Sequence, residues 1–157
     1  MQEKNKAQKN DQNHGDCDNE AVLNEVVRNT EMGKNTLGQL IGITDDRVFK
    51  ASLLNQQREF RKLNQNAHTA LAACGTHGHG QSKMAKMATS MGIHAKTMKD
   101  SSTRALADMV IQGANQGVLD CEKARKDHPH ASTGAMQLLD ELQQFEEHAA
   151  VEMREYL

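Results

Sequence analysis

The chain of 157 residues is 25% charged, 37% hydrophobic and 3% aromatic, with one proline and no tryptophan, which fits a single helical domain of ordinary size. Its 19 basic residues face 21 acidic ones for a formal charge of -2, so neither nucleic acid nor a polybasic membrane contact is expected. No run approaches the roughly 18 apolar residues of a membrane span, the first twenty residues lack the apolar stretch of a signal peptide, and three cysteines form no disulfide framework; the expectation is a cytoplasmic protein.

Residues 1–18 hold almost no large apolar side chain and read as a disordered polar tail, because they offer nothing to offset the entropy of ordering. From Asn19, apolar residues recur at helical spacing through Leu23, Val26, Val27, Thr30, Leu37 and Ile41, predicting helix 1 over about 19–42. Thr44-Asp45-Asp46 supplies N-cap candidates for helix 2, about 46–74, with a face of Phe49, Leu53, Gln56, Phe60, Leu63, Ala67, Ala70 and Leu71. The glycine-rich Gly75–Gly80 ends it. A short linker helix is expected over about 82–98, with Met84, Met87 and Met91 sealing the bundle. Asp100-Ser101-Ser102 opens helix 3, about 100–126, which stops before His128-Pro129. Ser132 or Thr133 caps helix 4, about 132–157, with Leu138, Leu142, Phe145, Ala149, Met153 and Tyr156 on its face.

The two halves repeat. Leu53 to Phe60 aligns without gaps on Leu138 to Phe145, and Leu23 to Leu37 lies more loosely on Leu106 to Leu119. Paired helical hairpins joined by a long connection are an organisation of four-helix bundles. On this repeat, and on runs such as LNEVVRNTEMG and LLNQQREFRKL, residues 19–157 resemble the ferritin-like superfamily, and within it an uncharacterised bacterial four-helix family. The resemblance implies an all-α, ferritin-like bundle of two hairpins whose long connection carries the short linker helix.

It also implies a carboxylate-bridged dimetal centre, built from a Glu on two helices and Glu-x-x-His on the other two. The nearest matches here are Glu59-x-x-Lys62 and Gln144-x-x-Glu147, with Gln112 and Gln116 on helix 3 where a carboxylate is wanted. The complete set is absent, so a binding or interaction module is expected, with a second copy of the chain or another protein as partner.

The alternative is a metal-handling or redox protein binding iron, zinc or copper. Its candidate ligands are Glu141, His148 and Glu152 along one flank of helix 4, helped by Gln56 and Glu59, since imidazole and carboxylate one turn apart can share a metal. A second candidate is a pole cluster of Cys74, His77, His79, His128 and His130, donors suited to zinc or copper. There is no G-x-S-x-G, no phosphate-cradling glycine loop and no H-E-x-x-H, so any enzymatic role rests on metal alone. Gly33, Gly113 and Gly117 lie inside helices at about 0.5–1 kcal/mol each relative to Ala. Close approach of helices 1 and 3 is the expected compensation, and room for a ligand or for the linker helix the alternative.

Overall fold

The computed structural model describes residues 2–76, 78, 80, 89, 92–97 and 99–157, with side chains from residue 15 onward. The described residues are all helical or irregular. The elements are α1 (Gln2–Ile43), α2 (Arg47–Ala73), α3 (Thr103–Asp127) and α4 (Thr133–Met153), followed by a 3-10 turn, Arg154–Tyr156. Residues 92–97 add a short helical segment within the expected linker helix. Met84, Met87 and Met91 lie outside the described residues.

The caps fall where short polar side chains precede apolar runs. Asp46 Oδ1 accepts from the amides of Val48 and Phe49 at 2.9 and 3.0 Å. Ser102 and Ser132 receive the Ala105 and Ala135 amides at 3.2 and 3.3 Å, satisfying donors that the first helical turn leaves unpaired. Helix α2 ends where Gly75 takes a φ of +77°, a torsion that costs a residue with a Cβ but not glycine.

Helix α1 runs from Gln2 and is about 63 Å long at 1.5 Å per residue. The opening residues are mostly Gln, Lys, Glu, Asn and Asp. Of these Lys, Gln and Glu are good helix formers, and extending an existing helix is far cheaper than nucleating one. Near Asp18, α1 is tied down by the α3–α4 loop. Asp18 Oδ2 accepts from the His130 amide at 3.0 Å, its Oδ1 lies 3.1 Å from His128 Nδ1, and Asn19 Oδ1 accepts from the Ser132 amide.

Side-chain contacts define the helix directions. Asn64 reaches Thr30 and Gln57 reaches the Lys34 carbonyl, setting α1 antiparallel to α2. Asp18 meeting His128 and Asn29 meeting Gly117 set α1 antiparallel to α3. Ser52 and Gln56 meet Tyr156 and Glu152, setting α2 antiparallel to α4. It follows that α2 and α3 run parallel, as Thr103 Oγ1 donating to Asp46 Oδ2 at 3.4 Å at their starts requires. Helix α1 packs most extensively on α2, and α3 on α4.

The core is a ladder of residues spaced alternately three and four apart. On α2 it is Phe49, Leu53, Gln56, Phe60, Leu63 and Ala67, and on α4 Ala135, Leu139, Leu142, Glu146, Ala149 and Met153, all buried. This is the apolar seam of a helix bundle. Two of its rungs, Gln56 and Glu146, are polar.

Candidate functional site: an interior pocket

The interior is open where those polar rungs lie. A pocket of about 360 Å³ is walled by all four helices and by Thr89, Gly92, Ile93 and Lys96, more than twice the ~150 Å³ cavity that suffices to hold benzene. Its wall is largely apolar, with Leu37, Phe60, Ile93, Val110, Ala114 and Ala149 among its residues. Asn29, Gln56 and Glu146 bring polar groups to its wall, and all three are buried.

Small residues make the space. A Cβ on Gly33 would run into the Phe60 ring, and one on Gly117 into the Glu146 carboxylate. The glycines on α1 and α3 thus seat a large side chain from the facing helix of each hairpin, and at Gly117 the Asn29 amide of α1 also comes close, as the expected approach of α1 to α3 requires. At Gly113 a Cβ would meet nothing, and that glycine lines the pocket, in line with the alternative of room for a ligand.

Glu146 is 3% exposed and has neither a hydrogen bond nor an ion pair among the described residues. Burial, with a smaller push from the Asp120 carboxylate, raises its pKa from 4.5 to about 8. Near neutrality it is therefore mainly the uncharged acid, which is how a buried carboxyl without a partner avoids the cost of desolvating its charge. Gln56 Nε2 donates to Glu152 Oε2 at 2.9 Å, while Gln56 Oε1 is buried with no partner. Asn29 Nδ2 donates weakly to the Gly117 carbonyl at 3.5 Å.

Beside Glu146 on α3, burial and the Glu146 and Glu25 carboxyls push the Cys121 thiol up to about 12. It is therefore a protonated, inert side chain. Glu25 on α1 is raised by burial and partly pulled back by Arg28.

The residues expected to bind metal are dispersed. Glu141, His148 and Glu59 are exposed, and Glu152 is half-buried; of the helix 4 set, the contact formed is that of Glu152 with Gln56. At the pole, Cys74 and His130 are exposed and His128 is half-buried. The loop and the start of α1 do meet there through Asp18. His77 and His79 lie outside the described residues. Among the described residues no three His, Cys, Asp or Glu side chains gather as a metal site would require. Nor do the buried polar groups lining the pocket suit a dimetal centre: they are one carboxyl and two amides, where four carboxylates and two imidazoles are needed.

The helix 4 face expected through Phe145 leaves out Glu146, which the structure buries. The signal was there, since Glu146 stands four residues after Leu142 and three before Ala149, the spacing of a core rung. Among the described residues no helix is long and apolar enough to cross a membrane. Comparison of the chain with family models, with curated proteins and with solved structures returns no match.

Proposed function

We propose that this chain is a small-molecule binding module of ferritin-like architecture, whose bundle centre serves as an apolar pocket instead of a dimetal site. The observation that carries the reading is the buried, unpartnered Glu146 carboxyl on the wall of an otherwise largely apolar pocket. A volume of 360 Å³ lies in the range of small-molecule sites, about 300–1,000 Å³, which are characteristically apolar with a few placed polar groups.

The ferritin-like assignment is supported by the helix directions. With α2 and α3 parallel, the connection between them must return along the length of the bundle, the crossover of ferritin-like folds. The repeat supports it too, since Phe60 and Phe145 are equivalent positions of the two hairpins. The metal-handling reading has weaker support, because Glu141 and His148 face solvent and Glu152 is taken by Gln56.

The test is calorimetric titration of the chain with 1-octanol, a neutral apolar probe, beside the Gly113→Leu variant, whose side chain projects into the space. Saturable binding at one site that the variant loses, with its helical circular dichroism unchanged, supports the reading. Absence of saturable binding, or binding that the variant leaves intact, overturns it.

A further inference from the structure

The polar groups on the pocket wall are unequal in kind, and this selects among ligands. Gln56 Oε1 is an acceptor without a donor, and its orientation is held by the bond from Nε2 to Glu152. Glu146 offers carboxyl oxygens that receive nothing from the described residues. The Asn29 amide already points a donor at the Gly117 carbonyl. Gln56 Oε1 is thus an unmet acceptor, and Glu146, an acid near neutrality, becomes a charged acceptor once it gives up its proton.

Among the described residues, the one charge that acts directly on Glu146 has the same sign as its carboxylate. On α3, Asp120 acts on it directly. Through the Cys121 thiol the next groups are Glu25 on α1 and Arg125 on α3, while Arg28 and Lys123 lie against Glu25 and Asp120 respectively. Helix α2 contributes Gln56 and Phe60 to the wall, neither of them titratable. On α4 the neighbours Glu147 and His148 point to solvent. The Lys96 ammonium on the wall is engaged with Gln112 Oε1 at 3.3 Å. A carboxylate ligand placed here would meet Glu146 and the field of Asp120. An alcohol would supply one donor and leave that field unanswered.

Resting on the reading of the pocket as a ligand site, we propose that its ligand class is a primary amine with an apolar tail, its ammonium seated between Glu146 and Gln56 and its tail against Phe60, Val110 and Ile93. The ammonium donates hydrogen bonds to both unmet acceptors and forms an ion pair with Glu146 in a low-dielectric site, where charge-assisted bonds are strong. Proton balance follows. The protonated carboxyl and the alkylammonium combine to give a carboxylate–ammonium pair, and the carboxyl proton passes to solvent. Below pH 8, binding therefore competes with a proton and tightens as pH rises towards 8.

The experiment titrates the full chain with octylamine, 1-octanol and octanoate by calorimetry at pH 7, in buffers of differing ionisation enthalpy, with Glu146→Gln alongside. The expected result is that octylamine binds at least tenfold more tightly than 1-octanol and releases close to one proton, tightening from pH 6 to 8. In Glu146→Gln the release disappears and the preference collapses, while 1-octanol still binds. Equal binding of amine and alcohol, a preference for octanoate, or amine binding without proton release overturns the amine assignment and leaves the pocket standing. If no probe binds, the pocket reading fails and the amine assignment with it.

Discussion

Phe60 on α2 and Phe145 on α4 meet edge to face, with ring centroids 4.8 Å apart and planes at 89°, and they are the same position of the repeated octapeptide. Where two antiparallel helices are related by a repeat, one pair of equivalent residues must lie opposite each other. Here that pair is aromatic and forms part of the pocket floor on the Phe60 side, over Gly33. Phe60→Ala is expected to cost about 3–5 kcal/mol, as for other buried aromatic truncations. A double-mutant cycle with Phe145→Ala should give a coupling of about 0.5–1.5 kcal/mol, the worth of an edge-to-face pair beyond its burial. Urea denaturation of the four proteins measures it; additive losses would show that the rings do not interact.

Stability should fall as pH rises through the window set by Glu146. In the unfolded chain this carboxyl ionises near its ordinary 4.5, but in the folded protein near 8. Between those values the folded state binds more protons, so the free energy of unfolding decreases with pH and levels off above 8, a loss on the order of several kcal/mol. Denaturant melts between pH 5 and 8.5 should show this slope. Glu146→Gln should flatten it and be the more stable protein at pH 8.5.

The three helical glycines should respond differently to alanine. Gly117→Ala drives a methyl into the Glu146 carboxyl and Gly33→Ala into the Phe60 ring, and each should destabilise by about 1–3 kcal/mol, the usual cost of overpacking. Gly113→Ala meets nothing and should stabilise by about 0.5–1 kcal/mol through helix propensity. Thermal melts of the three variants should therefore split in sign.

At the pole, burial raises the Asp18 carboxyl, but the His130 amide and the His128 ring outweigh it, and the net shift is downward. A lowered carboxyl contributes stability above its unfolded value and loses it as pH falls through the folded one. Asp18→Asn should lower the melting temperature at pH 7 and shift little at pH 3. It should also speed amide exchange in the loop around His130, readable by NMR.

Helix faces were largely legible in the sequence because burial imposes periodicity on it: Leu53, Phe60, Leu106 and Leu142 lie inside as their spacing requires. The caps Asp46, Ser102 and Ser132 were legible because they satisfy backbone donors within three residues of themselves. The need for something to offset Gly33 and Gly117 was legible as well, but not its nature, since which side chain fills a glycine's space depends on the register of the facing helix. Asp18 binding the loop at His128 joins residues 110 apart, and no local pattern encodes that. Glu146, the residue on which the proposed site most depends, was not legible from hydrophobicity, because a carboxyl at a core rung breaks the apolar pattern that marks most other rungs.

The most direct test of a ligand pocket at the bundle centre is methyl NMR of the chain titrated with 1-octanol, following Leu37, Ile93, Val110 and Ala114 on its wall against Leu23, Leu71 and Leu139 in the filled core. The account predicts saturable shifts and intermolecular nuclear Overhauser effects confined to the first group and lost in Gly113→Leu. Shifts spread evenly over both groups, or none in the first, would contradict it.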